Sequence, residues 1–197
     1  MTDADRMHIS LHEAAHAWAG WRFGRPPAVV SIRPGSAHLG IAIFDRSADH
    51  DLSKLIDGRH PLDGLDPEAR RFADRRLVIA LIGEEAVDLL VPQTGRLPDR
   101  VPPTRVATPL SPERHARLAE TEADDDPWHD DEAAFEMAFR LVGELANAYL
   151  VWPRAEARRL ARDHARAIHA LAAALRASEV LDGADAVAIL EAHEGAP

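Results

Sequence analysis

The longest unbroken pattern in this sequence is helical. From Arg154 to Ser178, the segment RAEARRLARDHARAIHALAAALRAS carries leucine and alanine at the spacing of one helix face. Pro153 stands directly before it and is typical of a first helical residue. Similar patterns predict helices over about 3–23, 67–91, 127–150 and 184–193. A chain with this pattern is expected to fold as a mainly α protein.

One short region departs from the helical pattern. Residues 28–33 (AVVSIR) and 38–44 (HLGIAIF) are apolar runs, and the intervening PGSA is rich in turn-forming residues. This arrangement predicts a β-hairpin directly after the first helix.

Residues 92–111 contain five prolines and are expected to form a flexible surface loop, and helices over 153–193 are expected to close the fold. At 197 residues, the whole of 1–197 is predicted to be a single domain.

The composition excludes several classes of function. The formal net charge is -10, and no basic stripe offsets it, so nucleic acid is not expected as a partner. Neither the N-terminal segment nor any apolar run resembles a signal peptide or a membrane span, which favours a cytoplasmic protein. Cysteine is absent, so disulfides are excluded, and any metal site must use histidine, aspartate or glutamate.

The first predicted helix carries the motif HEAAH. His12 and His16 are four residues apart, so their imidazoles project from the same face and can reach one tetrahedral zinc ion. Glu13 lies one step round the helix, where a carboxylate can act as general base on a water. Alanines surround the motif, which indicates a buried helix, and burying two imidazoles and a carboxylate without partners is unfavourable. A metal ion would satisfy all three groups.

Five segments, in order, resemble the zinc peptidase domain of the FtsH-type membrane AAA+ proteases. LHEAAHAWAGWRFG resembles the family's zinc helix, VVSIRPGSAHLGIAIF its strand–turn–strand, and RRLVIALIGEEAVDLL the helix that follows. HDDEAAFEMAFRLV resembles the segment with the aspartate ligand, and ARRLARDHARAIHALAAALRASEVLDGADAVAIL the closing helices. The resemblance covers most of the chain and implies a helical zinc-peptidase domain. No GxxxxGK[ST] motif occurs, so the chain resembles the peptidase domain without its ATPase.

A catalytic zinc ion takes three protein ligands, and HEAAH supplies two. Glu84, Glu85 and Asp88 are candidates for the third ligand, because they lie on the predicted helix that follows the hairpin. The resemblance implies Asp130 instead, because the family's aspartate precedes an alanine by four residues, as Asp130 precedes Ala134. Asp131 is the alternative third ligand.

These residues and the resemblance together imply a zinc-dependent metallopeptidase acting on unfolded or flexible polypeptides without ATP. Glu13 would take a proton from the attacking water and deliver it to the leaving amine. The second strand, over 38–44, would pair with an extended substrate. Two alternatives are a zinc-binding regulatory or partner-binding module without proteolytic activity, and a helical scaffold without metal. The sequence leaves open a separate ATPase or adaptor and a homo-oligomer.

Overall fold

The computed structural model describes residues 2–35, 39–44, 67–91 and 130–194. Within these ranges the helices are α1 (Asp3–Arg22), α2 (Pro67–Leu90), α3 (Asp130–Val142), α4 (Ala146–Asp163), α5 (Ala165–Ser178) and α6 (Gly183–Glu194). The strands are β1 (Pro27–Ser31), β2 (Ile41–Phe44) and β3 (Val180–Asp182). The mainly helical prediction is therefore confirmed. The predicted loop at 92–111 and the predicted helix start at 127 lie outside the described residues.

Helix α1 lies at the centre of the fold and packs against α2, α5, β1 and β2. A capping box begins it: the Asp5 amide donates to Thr2 Oγ1 at 3.1 Å, and the Thr2 amide donates to Asp5 Oδ2 at 2.7 Å. The helix ends before Gly24, which adopts a φ of 84°. In its second half, Ala14, Ala15, Ala17, Ala19 and Trp18 are buried, and the small side chains allow the neighbouring elements to approach closely.

The predicted hairpin is confirmed, and a third strand extends it. β1 pairs antiparallel with β2, with Ser31 opposite Ile41, and its other edge pairs antiparallel with β3, with Ser31 opposite Val180. The strand order is therefore β2-β1-β3. The sequence did not predict β3, because three residues carry too little periodicity and this strand is defined by a partner far away in the chain.

The helix boundaries in the C-terminal half differ from the prediction in two places. The predicted break before Pro153 is wrong, because Pro153 is buried inside α4. The break occurs earlier, at a 3₁₀ turn over Gly143–Leu145 in which Gly143 has a φ of 60°, a conformation that favours glycine. The predicted continuous helix over 154–178 is interrupted at His164, whose ring stacks on Trp18 at 4.5 Å between centroids.

The packing of α2 determines which residues meet near α1. α2 packs against α1 and α4, and α3 packs against α2 and α4. Ala134 and Ala138 are fully buried, so α3 presents small residues to its neighbours. This arrangement brings the first turn of α3 close to the HEAAH segment. Among the described residues, no helix has both the length and the apolar character that crossing a bilayer requires.

Candidate metal centre

Three side chains from α1 and α3 converge on one point. His12 Nε2 lies 2.7 Å from Asp130 Oδ2, His16 Nε2 lies 3.1 Å from the same oxygen, and the two Nε2 atoms are 3.0 Å apart. The rings of His12 and His16 meet edge to face at 4.5 Å between centroids. The sequence selected these three residues as ligands, and the structure brings them together; their role as ligands stays a prediction.

The spacing of these atoms suits a small cation. In a tetrahedral site with bonds of about 2.0–2.2 Å, adjacent ligand atoms are about 3.4 Å apart. The three distances of 2.7 to 3.1 Å are only slightly shorter. An opening of a few tenths of an ångström would admit zinc. Two imidazole nitrogens and one carboxylate oxygen are also a donor set that zinc accepts, so the residues present fit the ion.

The backbone of α2 orients His16. His16 Nδ1 lies 2.7 Å from the Ile79 carbonyl oxygen, which can only accept a hydrogen bond, so Nδ1 donates to it. In the neutral imidazole this leaves the lone pair on Nε2, the atom that faces His12 and Asp130. Histidine ligands in metal sites are commonly oriented by a second hydrogen bond of this kind.

Because Gly83 has no side chain, the imidazoles of His12 and His16 can occupy the space next to it. A methyl group on residue 83 would lie 2.6 Å from His12 Cε1 and 2.7 Å from His12 Nδ1, and it would also contact His16 Nε2. Real side chains avoid contacts this short. A larger residue at this position of α2 would therefore displace the rings from the point where they meet.

The electrostatics of the site favour positive charge beside Asp130. Burial lowers the pKa of His16, but the charge of Asp130 and hydrogen bonds to Asp130 and Ile79 outweigh it and raise the pKa above its ordinary value. Burial likewise acts to raise the pKa of Asp130, but the two histidines outweigh it and hold that pKa far below its usual range. Asp130 therefore stays ionised despite its partial burial.

Glu13 is buried beside this group, on the side facing β2. A methyl group on residue 40 would lie 2.7 Å from Glu13 Oε1 and 2.8 Å from Glu13 Cγ. Gly40 immediately precedes β2, so the Glu13 carboxylate lies against the start of that strand. Glycine at position 40 allows the strand to approach the carboxylate this closely.

The other carboxylates considered as third ligands lie elsewhere. Asp131 Oδ1 pairs with Arg154 at 3.0 Å, and the buried Glu85 pairs with Arg158 at 3.0 Å. Glu84 is exposed and lies 3.9 Å from His12 Nδ1, the nitrogen that faces away from Asp130. Asp88 is also exposed. Of these carboxylates, Asp130 is the one that contacts the nitrogens at which His12 and His16 meet.

Sequence reasoning missed several parts of this arrangement. The Ile79 carbonyl and the close approach of Gly40 leave no signal in residue types, since any residue supplies a carbonyl and glycine has many uses. Gly83 did carry a signal, because it belongs to one of the segments that resemble the FtsH-type domain.

Tyr149, the one tyrosine of the sequence, lies on α4 and donates a hydrogen bond from its hydroxyl to Asp74 Oδ1 at 2.6 Å. Burial and this bond to a carboxylate raise its pKa.

No family model matches the sequence, and no curated protein shows significant similarity to it. The motif and the geometry of the site are therefore the observations that bear on function.

Proposed function

We propose that this protein is a zinc-dependent metallopeptidase whose zinc ligands are His12, His16 and Asp130. The observation that carries the proposal is the convergence of two histidine nitrogens and one carboxylate oxygen, with distances of 2.7 to 3.1 Å between them. Glu13, which directly follows His12 in the sequence, is buried. Three protein ligands with an open fourth position are typical of catalytic rather than structural zinc sites.

Each of these residues has a distinct task in the proposed reaction. His12, His16 and Asp130 hold the ion, and the Ile79 carbonyl fixes the tautomer of His16. A bound zinc ion supplies Lewis acidity, which activates a water for attack and polarises a peptide carbonyl. Glu13 accepts the proton of that water and delivers it to the leaving amine. Burial of Glu13 beside β2 restricts its motion, which keeps the base in reach of the reacting atoms.

The sheet provides a place for the substrate. Among the described strands, β2 pairs only with β1, and we propose that an extended chain binds along its other edge, which has no partner strand in the described residues. Backbone pairing with such an edge would bind many sequences, since it depends little on side chains. Gly40 and the start of β2 adjoin Glu13, so a segment bound along β2 would pass close to the catalytic base. These features support unfolded or flexible polypeptides as substrates.

The proposal includes a relationship to the FtsH-type peptidase domain. The HEAAH helix, the hairpin after it and the aspartate on a later helix occur in the order that the resemblance implies. The chain has no P-loop, so activity is proposed to be independent of ATP and limited to substrates that need no unfolding.

Metal content and proteolysis test this function together. Protein purified without chelator is expected to carry about one zinc per chain, to cleave an unfolded protein such as casein, and to lose that activity with a chelator. Glu13→Gln is expected to keep zinc but to lose at least about 100-fold in rate, because an amide cannot accept the proton. Glu136→Gln, which changes an exposed glutamate paired with Arg140, is the matched control and should retain activity.

The outcomes separate the three functions considered. Zinc at full occupancy without cleavage of unfolded substrates would indicate a regulatory or partner-binding module. Absence of zinc in the purified protein, with no uptake when zinc is added, would indicate a helical scaffold. A rate for Glu13→Gln near that of the wild type would show that Glu13 is not the base.

A further inference from the structure

A chain of ion pairs links the first turn of α3 to α2 and α4. Arg154 on α4 donates from Nη2 to Asp131 Oδ1 at 3.0 Å, and its Nη1 lies 3.5 Å from Glu85 Oε1. Arg158, one turn further along α4, donates to Glu85 Oε2 at 3.0 Å. One guanidinium group therefore contacts carboxylates on two other helices.

Glu85 is the buried residue that holds this series of ion pairs in place. Its side chain is only 7% exposed, and each of its oxygens faces an arginine. A buried carboxylate without such partners is strongly unfavourable, so the arginines are held in place by the need to compensate it. Arg154 is thus fixed from the α2 side, and its second nitrogen is directed at Asp131.

The contact between Arg154 and Asp131 bears on which of two adjacent carboxylates meets the histidines. Asp130 and Asp131 are consecutive in α3, and consecutive helical residues point about 100° apart. Only a rotation of α3 by that angle would exchange them. With Asp131 held by Arg154, Asp130 is the carboxylate that faces His12 and His16.

We infer that Arg154 is a positioning residue for the metal centre: by holding Asp131 aside, it sets the rotation of α3 that presents Asp130 to the two histidines. This inference rests on the proposed zinc site, although it does not require proteolysis. Exposed ion pairs contribute little to folding stability, and the Arg154–Asp131 pair is about half exposed. Loss of this pair is therefore expected to weaken zinc binding by only a few-fold and to change folding stability little.

The test compares zinc affinity among variants of the full chain. Arg154→Met retains an aliphatic side chain but removes both ion pairs, and it is expected to weaken zinc binding by about 2- to 5-fold, the range that loss of a half-exposed ion pair allows. Arg159→Met is the matched control, since Arg159 lies on the same helix but pairs with Glu156 and Asp163. It should bind zinc as the wild type does. Arg154→Lys should restore part of the affinity, because lysine supplies the charge without the two-armed geometry.

The visible spectrum of the cobalt-substituted protein gives a readout that a merely structural role would not change. Cobalt absorption depends on the identity and geometry of the ligands. We expect the spectrum of Arg154→Met to differ from that of the wild type and the spectrum of Arg159→Met to match it. If Arg154→Met does not fold, Asp131→Asn removes the charge of the same link while Glu85 keeps both arginines, and about 2- to 5-fold weaker zinc binding is expected.

Three results would overturn the inference. The first is an Arg154→Met variant with wild-type zinc affinity and an unchanged cobalt spectrum, which would show that the rotation of α3 does not depend on this pair. If Arg154→Met does not fold, the same result in Asp131→Asn has the same meaning. Tighter zinc binding in Arg154→Met would show that Arg154 competes with the metal for Asp131, which would then be the ligand. A wild-type protein that binds no zinc would overturn this inference and the proposed function together. Weakened zinc binding in Arg154→Met, with a wild type that binds zinc but cleaves nothing, would support the inference and refute only the peptidase activity.

Discussion

Gly83→Ala adds a single methyl group where α2 faces both imidazoles. The new carbon would lie 2.6 Å from His12 Cε1 and 2.7 Å from His12 Nδ1. Carbon contacts are ordinarily about 3.5–4.0 Å, so the ring of His12 must move by about 1 Å. Zinc–ligand distances tolerate only about 0.2 Å. We therefore expect zinc affinity to fall by at least about 100-fold, which corresponds to about 2.8 kcal/mol at 1.4 kcal/mol per factor of ten.

The stability of the metal-free protein should change much less. Replacing glycine with alanine inside a helix favours folding by about 1 kcal/mol, and overpacking opposes it by about 1–3 kcal/mol. These terms partly cancel, so the thermal midpoint of the metal-free variant should lie within a few degrees of the wild type. A loss of zinc affinity without a matching loss of stability would assign the effect to the site.

The assay is competition for zinc between the metal-free protein and a chromophoric chelator. Gly20→Ala is the matched control, because its methyl group would lie 2.7 Å from Phe44 Cδ1 and 2.9 Å from the Arg25 carbonyl oxygen and so overpacks α1 away from the histidines. It should lose stability but keep its zinc affinity. Wild-type affinity in Gly83→Ala would refute the reasoning, since His12 and His16 would then not hold the metal at the point facing α2.

Three further predictions follow from the same geometry. Asp130→Asn should weaken zinc binding by more than about 100-fold, the upper end of what loss of an outer partner causes, and Asp131→Asn by only about 2- to 5-fold; the reverse order in a chelator titration would place the ligand one residue later. Zinc affinity should decline as pH falls through the raised pKa of His16, because protons compete with zinc for the His16 nitrogen. In titrations of zinc affinity from about pH 5 to about pH 9, the decline should begin above about pH 6.5 in the wild type and at a lower pH in Asp130→Asn. Identical pH profiles for the two proteins would contradict this prediction. Gly40→Ala should keep zinc but slow peptide cleavage by about 10-fold or more, because the methyl group displaces the Glu13 carboxylate; unchanged kcat/KM would count against Glu13 acting from this position.

Local signals in the sequence predicted most of the helix ends. Helix α1 ends at Arg22, α2 begins at Pro67 and α6 begins at Gly183, each within about a residue or two of the expected boundary. Such ends depend on capping groups and backbone conformations that neighbouring residues supply. Pro153 misled the prediction because proline is also tolerated inside a helix when packing compensates the lost hydrogen bond, and its ring is buried.

The candidate site was predictable only in part, for a related reason. His12, Glu13 and His16 follow from spacing within one helix. Asp130 lies 118 residues after His12 and 114 after His16, so spacing alone could not select it, and the resemblance to a known domain was needed. Strand β3 escaped prediction for the same reason, since its partner β1 is even more remote in the chain.

The central position of β1 in the sheet has a consequence for synthesis of the protein. Strand β2, the partner of one edge of β1, follows it closely in the sequence, since Ser31 pairs with Ile41. The partner of the other edge, β3, is made much later, because Ser31 also pairs with Val180. At about 5–20 residues per second, a ribosome needs about 7 to 30 s to make the roughly 150 residues between them. During that interval the nascent chain presents an open edge that includes Val29 and Val30, both fully buried once folding is complete. Chains truncated before β3 are therefore expected to aggregate through β1, and a chaperone that covers this edge should raise the yield of folded protein.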